Sequence, residues 1–393
     1  MKHYFLKFSK ACILVAHLAV VTNISACNLN NTHAQQLNEP TPLPQTDNSK
    51  IQVALLLDTS SSMDGLIDQA KSRLWHIVNT LTTLKYNGKE PQLEIALYEY
   101  GNDGLNVREG FIRQVTPFTS DLDLLSEKLF ALRNNGGLEY CGQVIKTSTD
   151  QLLWDKNQSS MKLIYIAGNE SFNQGDIKYA EAIPSAREKD IYINTIYCGD
   201  NKSGVDLEWK TGAEKGNGKY FNIDHNKTIR YVETPYDKEL DVLNNKLNST
   251  YHGFGAAGNI RKSNQLTQDD NAVVIGYSVK AERIVSKSKK NYSNSSWDVV
   301  DAYKKDSTFV SKISQNELPE ELKSLSKPAL EAKIKSLESE RTTVQKEIDK
   351  LAKQRAVYIE QQNKNSKAVD DLGQVITSSI LELAKKYKYT VVE

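Results

Sequence analysis

Residues 58–62 read Asp-Thr-Ser-Ser-Ser, so that Asp58, Ser60 and Ser62 place a carboxylate and two hydroxyls at alternate positions. All three side chains offer oxygen, the ligand that hard divalent cations such as Mg²⁺ and Ca²⁺ prefer. Serines at this spacing can also cap a helix by accepting hydrogen bonds from its free backbone N–H groups. The residue types alone therefore indicate either a cation site or a helix cap.

The neighbouring sequence favours the cation site. Residues 51–57 form an almost continuous apolar run, which is typical of a strand buried on both faces. Helical periodicity follows from Leu66 to Leu81. In open parallel sheets ligands bind beyond the carboxyl ends of the strands, and a motif between such a strand and such a helix lies there.

Further strands and helices alternate along the chain as far as about residue 225. Apolar runs predict strands over residues 93–100, 111–117, 162–167, 191–198 and 219–223. Helical patterns follow a capping Asp121 and cover residues 139–154 and 177–189. This alternation predicts an α/β fold, a mainly parallel sheet with helices on both faces.

In its motif and in its order of strands and helices, the segment of about 175 residues from 51 to 225 resembles the von Willebrand factor A family. Asp58, Ser60 and Ser62 fall on the first motif of that family's metal-ion-dependent adhesion site. The resemblance implies a doubly wound sheet with one antiparallel edge strand. It also implies a bound divalent cation, Mg²⁺ or else Ca²⁺ or Mn²⁺, and recognition of a protein ligand through an acidic side chain.

The sequence departs from the family pattern at the other two motifs. The second usually has Thr after a glycine pair, whereas residues 136–139 read Gly-Gly-Leu-Glu and leave Glu139 as the nearest oxygen donor. The third usually reads Thr-Asp-Gly, whereas Asn169 or Glu170 stands in for the missing Asp here. A Glu in place of a neutral Thr adds negative charge, which favours tighter metal binding and weaker attraction of an acidic ligand.

The first residues read as an export signal. A basic start is followed by a mostly apolar run over residues 11–21 and by Ile-Ser-Ala-Cys at 24–27. This ending resembles the lipobox of bacterial lipoproteins, which implies cleavage before Cys27 and lipidation of its thiol. An ordinary signal peptide cleaved nearby is the alternative. We therefore predict a signal over 1–26 and an envelope protein held to a membrane by lipid.

Residues 27–50 are polar, contain three prolines and show no hydrophobic period, so they predict a flexible linker. Export also bears on the two cysteines of the α/β region, Cys141 and Cys198. An oxidising compartment favours a disulfide between them, and two buried thiols are the alternative.

The remaining sequence predicts helices. Residues 226–325 form a helical extension in which the Lys-rich stretch 287–290 is expected to be a solvated loop. Residues 326–393 form a coiled coil that dimerises or docks a partner, or else a helical hairpin within one chain. The heptad positions are Leu330, Ile334, Leu337, Arg341, Val344, Ile348, Leu351, Arg355 and Tyr358.

Composition excludes several functional classes. The 393 residues carry 50 Lys plus Arg against 49 Asp plus Glu, so the chain has no overall attraction for nucleic acid. The nucleotide-binding, zinc-protease and serine-hydrolase motifs are absent, which favours a protein that is not an enzyme. We predict a cation-dependent binding or adhesion protein for a protein or surface polymer. A metal-free scaffold is the alternative, and a hydrolase with Glu139 or Glu170 as base is a distant third.

Overall fold

The computed structural model describes residues 49–63, 66–223, 232–365 and 371–391. The predicted signal, Cys27 and all but the end of the predicted linker lie outside these ranges. Residues 48–393 form one compact unit. Among the described helices, none has both the length and the apolar character that crossing a bilayer requires.

Six of the described strands lie close to their predicted positions, whereas the short strands at 84–86 and 389–391 were not predicted. The described strands are β1 (Lys50–Asp58), β2 (Leu84–Tyr86), β3 (Gln92–Tyr100), β4 (Ile112–Thr119), β5 (Met161–Gly168), β6 (Ile191–Cys198), β7 (Asn217–Ile223) and β8 (Tyr389–Val391). Six of them form one sheet in the order β4-β3-β1-β5-β6-β7. All its neighbouring pairs are parallel except β3 with β4, the antiparallel edge. The predicted α/β sheet is confirmed.

Helices cover both faces of this sheet and continue beyond it. They are α1 (Leu66–Thr82), α2 (Leu122–Ala131), α3 (Cys141–Gln151), α4 (Tyr179–Glu188), α5 (Asn201–Asp206), α6 (Trp209–Lys215), α7 (Asp237–Ser249), α8 (Gly258–Ile275), α9 (Tyr277–Ser288), α10 (Val299–Lys305), α11 (Phe309–Lys312), α12 (Glu320–Lys323), α13 (Lys327–Asn365) and α14 (Asp371–Lys386). Asp121 caps α2 as predicted, because its Oδ1 accepts the Leu124 N–H at 2.9 Å.

Alternate residues of β1 enter two different cores. Val53, Leu55 and Leu57 pack in the core that also contains residues of α1, α2 and α14. Ala54 and Leu56 pack in the core with residues of α3, α4 and α6. Because successive side chains of a strand point to opposite faces, a central strand covered on both faces must be apolar throughout. This requirement explains the uninterrupted apolar run that precedes the Asp-Ser-Ser motif.

The two cysteines of this region are buried free thiols, so the predicted disulfide between Cys141 and Cys198 is not present. Cys141 begins α3 and belongs to one core, whereas Cys198 ends β6 and belongs to the other. The sheet itself therefore separates the two sulfur atoms. Burial raises the pKa of both thiols, which disfavours the thiolate that a reactive cysteine needs.

The heptad seam of α13 packs against helices of its own chain. Its apolar positions share cores with residues of α7, α9 and α10, and Ile334 and Ile348 are fully buried. Arg341 donates to Asp298 at 2.8 Å and to Asp301 at 2.9 Å, and Arg355 donates to Asp237 at 2.9 Å. The seam predicted to bind a second copy is therefore already covered within one chain.

Helix α14 does not form the predicted hairpin with α13. It lies against α1 and β7 instead, and Ile376 and Ile380 are buried in the core on that face of the sheet. His76 of α1 bonds through Nε2 to the Gly373 carbonyl and to Thr377 Oγ1, each at 2.9 Å. Strand β8 follows α14 and pairs antiparallel with β2. The end of the described chain therefore completes the α/β domain.

The Lys-rich stretch also differs from its prediction. Lys287 is fully buried in α9, where its ammonium group lies 2.8 Å from Asp269 Oδ2. Arg283, also fully buried, bonds Asp269 at 2.7 Å and Asp123 of α2 at 2.8 Å. Buried charges of this kind are stable only when paired and hydrogen-bonded. This ionic cluster, Asp123, Asp269, Arg283 and Lys287, joins the helical extension to the α/β domain.

The stabilisation that His76 of α1 contributes is expected to weaken as pH rises. Burial by itself lowers the pKa of His76. Glu282 and the Gly373 carbonyl raise this pKa by more than burial lowers it, so the net pKa is raised. A raised pKa means that the contribution is complete below the unfolded value of about 6.5 and is lost as pH rises through the folded value. The difference in unfolding free energy between wild type and His76→Gln should therefore be largest below about pH 6.5 and shrink as pH rises above it. Parallel pH profiles would contradict this assignment.

Candidate metal centre

The Asp-Ser-Ser motif lies at the carboxyl end of β1. Asp58, the last residue of the strand, is fully buried, and its Oδ1 accepts the Ser60 N–H at 2.7 Å. This bond turns the loop so that Ser60 Oγ and Ser62 Oγ lie 2.8 Å apart. The loop thus directs the three motif side chains to one place.

Glu139 reaches the same place from the loop before α3. Its side chain is only 2% exposed, and its Oε1 lies 3.4 Å from Ser62 Oγ. The Glu139 N–H donates to Gln174 Oε1 at 2.6 Å, which holds the loop. Glu139 therefore fills the position that the sequence left open at the second motif.

Of the two candidates at the third motif, Asn169 contributes its side chain. Asn169 Oδ1 accepts from Ser62 Oγ at 3.0 Å. The Glu170 side chain is exposed, and this residue acts through its backbone, whose N–H donates to Glu139 Oε2 at 3.3 Å and whose carbonyl accepts from Trp209 Nε1 at 2.7 Å. The structure therefore brings together Asp58, Ser60, Ser62, Glu139 and Asn169, with Glu170 at the rim.

The charges of this centre are not balanced within the protein. Burial and the adjacent Glu139 carboxylate raise the pKa of Asp58 well above its usual value. Burial and the nearby Glu170 also raise the pKa of Glu139, although hydrogen bonds to Asp58 and Ser60 act against them. Within the described residues, no N–H or hydroxyl group donates to the buried Asp58 Oδ2, so that a proton shared with Glu139 is the bond open to it. Both features fit a cation, which would bond the free oxygen and offset the repulsion between the carboxylates.

The donor set is two carboxylates with neutral oxygens. In the described part of the chain, no three His, Cys, Asp or Glu side chains converge as a group able to hold a metal. The other donors here are hydroxyl and amide oxygens, which suits a hard cation and not a soft one.

Two residues that support this centre were not identified as functional from the sequence. Gly101 has φ 78°, and a Cβ there would lie 2.7 Å from Asp58 Oδ1 and 2.9 Å from Glu139 Cγ. Only glycine tolerates both this backbone and this proximity. Gln174, which orients Glu139, lies in a loop without any recognisable motif. The glycine directly follows the strand predicted over 93–100, which indicates a turn there, whereas nothing in the sequence indicated the glutamine.

The family model for the von Willebrand factor type A domain matches residues 52–234. This segment is a von Willebrand factor type A domain. Domains of this family are typically binding or scaffold modules and not enzymes, and they typically hold a divalent metal at the motif described above. No curated protein sequence matches the chain.

Several solved structures are similar to this domain. The protein BatB from Bacteroides thetaiotaomicron is 17% identical, with 44% of this chain and 90% of that chain covered and a TM-score of 0.34. Proximal thread matrix protein 1 from the mussel byssus, with a zinc-occupied metal-ion-dependent adhesion motif, is 11% identical, with 46% and 43% covered and a TM-score of 0.33. The pilus adhesin SpaC from Lactobacillus rhamnosus GG is 11% identical, with 45% and 28% covered and a TM-score of 0.34.

Proposed function

We propose that this protein is a lipid-anchored envelope protein whose von Willebrand factor type A domain binds a divalent cation and thereby recognises a protein or a surface polymer. Mg²⁺ is the proposed ion, with Ca²⁺ or Mn²⁺ as alternatives. The proposed ligands are Asp58, Ser60, Ser62, Glu139 and Asn169. Cys27 is the proposed site of lipidation, which would hold the domain at a membrane through a flexible linker.

One observation carries the metal part of this proposal. Asp58 Oδ2 is buried beside a second buried carboxylate, without an N–H or hydroxyl donor among the described residues. Such an arrangement is costly for a protein on its own, because each unpaired buried charge loses its hydration. It becomes favourable when a cation occupies the space. When bound, the cation supplies a Lewis-acidic position that accepts an oxygen of the partner.

Glu139 is expected to determine whether the bound cation accepts neutral or acidic oxygens from a partner. Its carboxylate adds a negative charge where the family pattern has a neutral hydroxyl. A site with two carboxylates attracts the cation more strongly, but it leaves the cation less positive toward an acidic partner. We therefore propose that ligands with neutral oxygens, such as the hydroxyls of a surface polymer, compete better here than at sites with one carboxylate.

Metal addition should stabilise residues 48–393 against heat, and Asp58→Asn should abolish the effect. A ligand at 100 times its Kd stabilises the folded state by about 2.7 kcal/mol, which raises the midpoint by several degrees. Without metal, Asp58→Asn should be at least as stable as wild type, because it removes the repulsion with Glu139. Asp206→Asn, an exposed acid on α5, is the matched control. A midpoint that no cation raises would refute metal binding and favour the metal-free scaffold.

A further inference from the structure

A cavity between helices α10 and α13 and the loop that follows α9 is lined largely by charged side chains. It measures about 230 Å³ and contains five cationic side chains against the two acidic ones of Asp301 and Glu338. The cations are Lys289, Lys290, Lys304, Lys305 and Arg341. A water molecule takes roughly 30 Å³ of liquid, so the space admits a phosphate group together with several waters.

Three of these cations are already paired, and two are free to bind a ligand. Arg341 is bound by Asp298 and Asp301, Lys289 by Asp349 at 2.7 Å, and Lys290 by Glu90 at 3.3 Å. Lys304 and Lys305, at the end of α10, are exposed and form no ion pair with a described residue. The paired residues build the wall, and the two free ammonium groups offer charge to an anion.

The cavity lies at the end of the sheet where the chain enters β1. Glu90, the partner of Lys290, stands just before β3, and β3 begins at Gln92 beside Lys50. The candidate metal centre lies at the other end, because Asp58 pairs in register with Tyr100. Eight residue steps at about 3.3 Å separate the two ends by about 26 Å. Contact between the cavity and a membrane would therefore leave the metal centre on the far side of the domain.

We propose that this cavity binds the phosphate of an anionic phospholipid headgroup through Lys304 and Lys305. Lysine ammonium groups are strongly hydrated point charges that suit a phosphate at a wet surface. The lipid as the source of the phosphate rests on the proposed envelope anchoring, whereas the cavity itself does not depend on the metal centre. Binding here would hold the domain against the membrane with its metal centre facing away.

The test is sedimentation of residues 48–393, which lack the acylated Cys27, with phosphatidylcholine vesicles that do or do not contain phosphatidylglycerol. EDTA is present throughout, so that the metal centre takes no part and its failure would not affect this result. Each lysine near an anionic surface contributes roughly fivefold to binding, so Lys304→Gln with Lys305→Gln should weaken it about 25-fold. The matched control is Lys202→Gln with Lys210→Gln, two exposed lysines on α5 and α6.

A second variant separates loss of the cavity from loss of folding. Glu338→Gln removes an acidic group from the lining and should tighten binding roughly fivefold, a gain that misfolding cannot produce. Equal weakening by both lysine pairs would overturn the proposal, since the attraction would then be general surface charge. Stabilisation by millimolar glycerol phosphate, without vesicle binding, would overturn the lipid and assign the cavity to a soluble phosphate compound.

Discussion

Replacing Asp269 by asparagine is expected to lower the free energy of unfolding by about 3–5 kcal/mol, because the change breaks a buried ion pair from one side. Asp269 accepts from Arg283 and from Lys287, and both cations are fully buried. Neither can reach water when its partner loses charge. The neutral amide also cannot accept all the hydrogen bonds that two carboxylate oxygens receive.

This loss of stability arises because Arg283 and Lys287 stay buried without their full countercharge, and not because the ion pair is strongly stabilising. Moving both ions out of water costs several kcal/mol per ion, which the attraction between them largely repays. Burial raises the pKa of Asp269, but Lys287 and Arg283 lower it more strongly, and the net pKa lies well below its usual value. Its contribution is therefore present above the unfolded carboxyl pKa of about 3.9 and is lost only as pH falls through the depressed folded value.

The adjacent residue provides the control. Asp270 is exposed on the same helix, and Asp270→Asn makes the same chemical change within one residue. Exposed substitutions away from such networks usually change stability by no more than about 0.5 kcal/mol. Urea unfolding of residues 48–393 at neutral pH measures both variants. Equal stabilities for Asp269→Asn and Asp270→Asn would show that the cluster is better hydrated than its burial indicates.

The second large effect is expected on α14. Replacing Ile376 and Ile380 together by alanine should lower the free energy of unfolding by about 4 kcal/mol or more, since a fully buried Ile→Ala change costs about 2–5 kcal/mol. Both side chains are 1% exposed or less and lie in the core over α1. The two sites are one turn apart, so their effects share a cavity and need not add.

Val375→Ala on the same helix is the control, because Val375 is 46% exposed. If α14 does not contribute to the core of the domain, the double variant will unfold at the same urea concentration as wild type. If α14 completes the core, the double variant will also bind a dye specific for exposed apolar surface before it unfolds. The second result would show that no shorter segment should be used to study the metal centre.

The sequence predicted the sheet well because a central parallel strand leaves a strong pattern. β1 and β6 are apolar along nearly their whole length, and their bounds were predicted to within one residue. The motif at Asp58 was equally clear, since it follows such a strand directly. Glu139 was found only through the family resemblance. No local sequence pattern distinguishes a glutamate that approaches the Asp58 loop from another part of the chain.

The helical region was predicted less well because heptad spacing does not determine whether another helix of the same chain or a second protein packs against the seam. Arg341 and Arg355 within the seam are bound by Asp298, Asp301 and Asp237 of the same chain. Acidic partners 40 or more residues away in sequence leave no local signal. The position of α14 was missed for a similar reason: its apolar stripe fits α1 as well as it fits α13.

The pairing of β8 with β2 has a consequence for the order in which the protein folds. Leu84 pairs with Val391, so the ladder closes a loop of about 300 residues, and such distant contacts are slow to form. During synthesis the α1 surface emerges long before the segment that covers it. Until residues 371–391 arrive, that apolar surface is open to chaperones and to aggregation. This segment thus decides when the domain can finish folding, and a chain truncated before it should persist as a protease-sensitive intermediate.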